Sequence, residues 1–133
     1  TWLTARTHPY GLASYNEVVG FARGAANVGF QRTFWGHELR LALDDVNALM
    51  PQNGRLHMGD TNQDSFNMYR RDGLLRRDIG YSGSVAGASA ASVQPQGEFK
   101  EQWMGVWNAW QTQRPQQVVH VEGVPLLTFT MKP

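Results

Sequence analysis

Four histidines, eleven carboxylates, twelve cations and five tryptophans are the side chains here with chemistry to offer. The histidines (His8, His37, His57 and His120) are scattered, with no pair four residues apart of the kind that holds a metal on one helix face. His57 and Asp60 share the end of a predicted strand and could approach a cation, but a solvated loop is the better reading of so sparse a set. Carboxylates cluster as Asp44 with Asp45 and as Asp60 with Asp64. The first pair falls on the polar face of a predicted helix, and the spacing defines no pair able to flank a glycosidic bond. The sequence has no phosphate-binding glycine loop, dinucleotide fingerprint, nucleophile elbow or HExxH motif. No catalytic residue, metal ligand or cofactor site follows from these patterns.

Two clusters are denser. Arg70, Arg71, Arg76 and Arg77 flank Gly73 and, against Asp72 and Asp78, leave a local charge of +2. Guanidinium forks at this density suit a phosphate or an anionic lipid head group, so all four are candidate anion-binding residues. Surface ion pairing with Asp72 and Asp78 is the plainer expectation. Phe99, Trp103, Val106, Trp107 and Trp110 recur at helical spacing. Aromatic faces stack on sugar rings because axial C–H groups meet the π cloud. A stripe on one helix face is nonetheless the pattern of a core, and burial is the expectation.

Composition bounds the rest. A chain of 133 residues fits one domain, read here as 1–133 with an irregular segment over 1–13. Hydrophobic residues at 41% against 17% charged describe a globular chain. A net charge of +1 creates no field to gather nucleic acid. The lack of cysteine excludes disulfides, thiolate ligands and a cysteine nucleophile. No apolar run approaches the roughly 18 residues that span a bilayer, and no signal peptide is visible. Thr1 in place of an initiator Met suggests a processed or cut piece. Ten of the twelve bases are Arg, which genome base composition explains more simply than function does.

The elements that must position these residues can be read from periodicity and punctuation. Ser14 to Phe21 suits a short helix, with Ser14 as N-cap and Glu17 at capping-box distance. A second helical turn and an extended QRTFW segment follow. His37 to Met50 is the clearest helix, with Leu39, Ala42, Leu43, Val46, Leu49 and Met50 on one face. Residues 55–59 alternate as a strand, and Asp60 or Thr61 caps a helix to about Arg71. A strand is expected between Leu74 and Tyr81. The small-residue stretch 82–93 fits either a tightly packed strand or a loop. A helix over Gly97–Gln111 precedes strands 117–121 and 125–131, joined by a tight turn at Glu122-Gly123. Pro125 has no N–H to give a ladder, so it should face an unpaired edge. Alternating helices and strands predict an α/β fold, a small mixed sheet with packed helices and a C-terminal β-hairpin.

The segment 8–36 is the most specific part of the chain. Its residues His8, Pro9, Tyr15, Asn16, Glu17, Gly24, Ala25, Gly29, Phe30, Trp35 and Gly36 stand in an order that resembles one known family. That family comprises polytopic bacterial glycosyltransferases of the dolichyl-phosphate-mannose–protein mannosyltransferase and aminoarabinose-transferase-like group, at the start of their C-terminal soluble domain. VEGVPLLTF (121–129) resembles the closing hairpin of such domains. Ser14 stands where a second Tyr is common, Phe21 where a second Gly is common, and Phe34 where Tyr is common. Residues 55–95 carry no matching motif.

The resemblance implies a domain that follows a removed membrane helix on the extracytoplasmic (periplasmic) face of the bacterial inner membrane. Its partners would be the transmembrane part of the same polypeptide and a lipid-linked sugar or acceptor. The parent enzyme would transfer sugar from a polyprenyl-phosphate carrier, with its catalytic carboxylate in an early loop outside this chain. Tyr15, Asn16, Glu17 and Trp35 become candidate substrate-binding residues: an amide and a carboxylate that can grip hydroxyls, and aromatic rings that can stack. The plainer alternative is that they cap helix ends and anchor the domain to its own N-terminus. A rival reading of the whole chain is a stand-alone carbohydrate-binding or protein-interaction module, and another is a small enzyme with a site around His57 and Asp60.

Overall fold

The computed structural model describes residues 2, 5, 8, 15, 17–32, 38–59 and 61–133. Ser14, Asn16, Trp35, Gly36, His37 and Asp60, and the expectations placed on them, lie outside the described residues. The helices are α1 (Phe21–Asn27), α2 (Leu39–Leu49), α3 (Gln63–Arg71) and α4 (Lys100–Trp110). The strands are β1 (Arg55–Met58), β2 (Gly80–Ser82), β3 (Ala90–Val93), β4 (Gln117–Val121) and β5 (Val124–Met131). They form one sheet in the order β2-β1-β3-β5-β4. β1 runs parallel to β2 and β3, and β5 runs antiparallel to β3 and β4. This is the mixed α/β fold with a C-terminal hairpin that the alternation predicts.

Helices cover both faces of the sheet. Neighbouring strand residues point to opposite sides, and β3 divides accordingly. Ala90 joins Leu56, Met58, Val119, Leu127 and Phe129 in the main core, roofed by Leu39, Leu43 and Val46 of α2 and Phe66 and Tyr69 of α3. Ala91 and Val93 meet Val106 and Trp110 of α4. Ala22 of α1 packs on Val121, Val124 and Leu126 at the hairpin end. The two alternatives for 82–93 both hold, in succession. Residues 83–89 cross from β2 to β3, and β3 itself is fully buried. Val85 and Ala88 of the crossover share the core beneath α4, and such small side chains allow the helix to lie over the connection.

Hairpin chemistry behaves as expected. Glu122 and Gly123 have φ of 49° and 79°, the doubly positive pair that a two-residue turn matched to strand twist requires. β3 ends at Val93 opposite Thr128, so Pro125 lies beyond its reach. There Arg32 Nη1 donates to the Pro125 carbonyl at 3.3 Å and to the Pro95 carbonyl at 2.5 Å. One guanidinium thus bridges the segment that leaves β3 and the start of β5, where their ladder has stopped.

Several boundaries differ from expectation. Residues 17–19 form only a 3-10 turn, because Gly20 turns left-handed (φ 77°) before α1 begins. The cap of α3 is Asn62, whose Oδ1 accepts from Ser65 N at 2.8 Å, in place of the expected Thr61. The strand expected within 74–81 begins only at Gly80, since Leu74 and Leu75 close the end of α3 through bonds to the Tyr69 carbonyl. Leu49, placed on the buried face of α2, is 43% exposed. The tryptophan stripe splits: Val106 and Trp110 are buried, while Trp103 and Trp107 are 39% and 42% exposed. Trp107 follows Val106 by one residue, about 100° around the helix, which carries it past the edge of the buried face. Among the described residues no helix is long and apolar enough to cross a membrane.

Candidate functional site

The sheet leaves a crevice at the carboxyl ends of its parallel strands. β1 continues into α3 on one face and β3 continues into α4 on the other, the arrangement in which open α/β sheets place their ligands. Between β1 and β3 the gap is filled from above. Gln102 of α4 donates through Nε2 to the Gly59 carbonyl at 3.1 Å, and a Cβ at position 59 would lie 2.2 Å from Gln102 Oε1. The open part of the edge is the adjacent groove after β3.

Residues 29–32 and 95–103 form that groove. One pocket of about 250 Å³ is lined by Arg32, Pro95, Gln96, Gly97, Lys100 and Trp103. A second of about 250 Å³ shares Arg32, Gln96 and Gly97 and adds Phe30, Gln31 and Glu98. Its floor is a polar relay. Gln96 Oε1 accepts from Arg32 N at 2.8 Å, and Gln96 Nε2 donates to Gln94 Oε1 at 3.0 Å. Gln94 Nε2 then donates to Glu38 Oε2 at 3.2 Å. Glu38 and Gln94 are 0% and 2% exposed, so the relay runs from the protein interior to the groove.

Tyr15 belongs to this neighbourhood. Its hydroxyl donates to the Gln31 carbonyl, and its ring tilts against Phe30 at 5.9 Å. Burial, and secondarily the Glu98 carboxylate, push the phenol above its ordinary pKa, so it stays a donor. Glu17 is exposed at the start of the 3-10 turn. Asn16 and Trp35 lie outside the described residues, as does Asp60. His57 Nδ1 lies 3.1 Å from the Ser82 carbonyl, a contact along the sheet.

The arginine cluster is divided among separate tasks. Arg76 Nη1 donates to the carbonyls of Asn47 at 2.7 Å and Met50 at 3.0 Å, closing the C-terminal end of α2. Its Nε and Nη2 grip the Asp78 carboxylate at 3.0 and 2.5 Å. Arg71 pairs with Asp72 at 3.1 Å. Arg70 lies over the Phe66 ring and donates to the Arg77 carbonyl at 2.6 Å; Arg77 is exposed. Donation by Arg76, together with the Asn53 N–H, holds the Asp78 carboxyl far below the usual carboxylate range. A lowered native pKa means the folded state binds that proton less readily than the unfolded state. The resulting stability is complete above the unfolded pKa, about 3.9, and is lost as pH falls toward the native value. Urea midpoints should therefore drop as pH is lowered below about 4, and Arg76→Met should flatten that acid limb while lowering the midpoint at neutral pH.

The residues that sequence reasoning missed are Arg32, Gln96, Lys100 and the exposure of Trp103. Each is ordinary in its local pattern, and Arg32 joins the others only through long-range bonds to Pro95 and Gln96 just past the end of β3. Comparison with protein-family models, with curated proteins and with solved structures finds no match to this chain.

Proposed function

We propose that this chain is an extracytoplasmic domain of a polytopic membrane glycosyltransferase that draws sugar from a polyprenyl-phosphate carrier. The domain contributes substrate recognition or structural support, and the transfer step belongs to the membrane part of the same polypeptide. The observation that carries this reading joins the resemblance to the backbone. Position 21, where that family commonly has glycine, adopts φ 57°, a left-handed conformation that favours glycine. Gly24, a matched residue, has its missing Cβ site 1.9 Å from the Val19 carbonyl oxygen. Gly29, also matched, has φ 82°. The family's small residues thus coincide with places where this backbone needs them. Tyr15, a further matched residue, ties the segment to the groove through Gln31. The test is the native state of the polypeptide: its size and whether it fractionates as an integral membrane protein.

A carbohydrate-binding module is the second reading. Exposed Trp103 and Trp107 favour it, because an aromatic platform for a sugar must face solvent.

A further inference from the structure

We propose that the groove beside Trp103 binds an acidic sugar, a pyranose or furanose ring that carries a phosphate or a carboxylate. This inference rests on the groove alone and holds under either reading of the whole protein. Three features of the walls define the ligand.

The first is the indole of Trp103. It is 39% exposed and lines the pocket together with Pro95. A half-open aromatic face beside a proline suits a ring with C–H groups on one face and hydroxyls at its rim. A volume of about 250 Å³ lies below the range of drug-sized sites and fits one ring with one substituent.

The second is uncompensated positive charge. Lys100 is exposed and makes no hydrogen bond or ion pair with any described residue. Among the described residues Arg32 meets only carbonyl oxygens, through Nη1, with no carboxylate paired to it and no acceptor for its Nε and Nη2. Two cations facing one small pocket favour an anionic group, and a guanidinium edge with two N–H donors matches the paired oxygens of a carboxylate or phosphate.

The third is preorganisation. The Arg32 side chain is fixed by two backbone carbonyls, those of Pro95 and Pro125, and its backbone N–H is fixed by Gln96, which is itself held by Gln94. A cation already clamped in place loses little freedom when a ligand arrives. Polarity orients the ligand as well. Glu98 lines the adjoining pocket, so the acidic group belongs at the Lys100 end and the ring hydroxyls toward Gln96 and Gly97.

The test is titration of the whole 133-residue chain by calorimetry and tryptophan emission. The probes are glucuronate, glucose 6-phosphate, glucose and inorganic phosphate. The expected result is saturable binding of the acidic sugars with a change in emission, and at least about tenfold weaker binding of glucose and of phosphate alone, one decade being the usual scale of a single lost charged contact. The tighter of glucuronate and glucose 6-phosphate identifies the acidic group. Lys100→Met should weaken both acidic sugars about tenfold with an unchanged unfolding midpoint. Trp103→Ala should remove the emission change and Trp103→Phe should restore most of the affinity. Equal affinity for phosphate and glucose 6-phosphate would reduce the groove to an ion site and overturn the proposal. So would equal affinity for glucose and the acidic sugars, absence of binding to the folded chain, or indifference to Lys100→Met.

Discussion

Trp110→Ala should lower the free energy of unfolding by about 3–5 kcal/mol, whereas Trp107→Ala should lower it by only about 0.5–2 kcal/mol. The two residues share a type, a helix and a period, and differ in what lies beneath them. Trp110 is 6% exposed and closes the core formed by Ala88, Ala91, Val93 and Val106. The surface below it is built of alanine and valine, which cannot expand to fill the space an indole leaves, so the loss combines transfer free energy with a residual cavity. Trp107 is 42% exposed and surrenders less burial, with solvent free to fill the space it leaves. Because Trp110 Nε1 has no hydrogen-bond partner among the described residues, Trp110→Phe should retain most of the stability; the pyrrole N–H that is removed satisfies no acceptor there. Urea titration followed by far-UV circular dichroism measures all three variants, and the total stability of a domain this size, about 5–15 kcal/mol, makes the first loss conspicuous. Equal losses at 107 and 110 would mean that α4 is rotated from the orientation described.

Gly24→Ala should destabilise the chain by about 1–3 kcal/mol, opposite in sign to Gly105→Ala, which should stabilise by about 0.5–1 kcal/mol. Both glycines lie within helices, α1 and α4, where alanine is intrinsically preferred. At Gly105 nothing lies within 4 Å of a new Cβ, so propensity acts unopposed. At Gly24 the new Cβ would meet the Val19 carbonyl oxygen at 1.9 Å and its carbon at 2.8 Å. Those are main-chain atoms of the preceding turn, which cannot rotate aside as a side-chain tip can. Either the turn at Glu17–Val19 or the seat of α1 on Val121, Val124 and Leu126 must move. Amide exchange in 17–27 should accelerate in Gly24→Ala, while the main core under α2 and α3 keeps its protection.

Much of the fold was legible because its signals are local. The apolar period of α2, the alternation in 55–58, the Glu122-Gly123 turn and the two closing strands each lie within a dozen residues. The failures arise where a distant contact overrides a local pattern. Arg76 reads as one of four clustered cations, but carbonyls at the end of α2, 29 and 26 residues earlier, accept its donors. Leu49 fits the α2 stripe yet lies at a helix end, where the buried place is taken by Met50, 3% exposed. The candidate site was the least legible part. Tyr15 was found through a motif, and Arg32 and Lys100 had no motif at all. Their juxtaposition depends on β3 stopping at Val93 while β5 begins four residues before its partner Thr128, a mismatch in strand length that only the sheet register reveals.

The central claim is that these residues form part of a membrane glycosyltransferase, and the native polypeptide tests it most directly. Membranes and soluble extract from the source cell would be separated, the membranes washed with alkaline carbonate, and peptides of this chain located and sized by mass spectrometry. The account predicts them in the carbonate-resistant membrane fraction, in a polypeptide several times longer whose remaining peptides are strongly apolar. Recovery of the peptides from the soluble extract, in a species no larger than this 133-residue sequence, would contradict it and leave the carbohydrate-binding module as the reading to pursue.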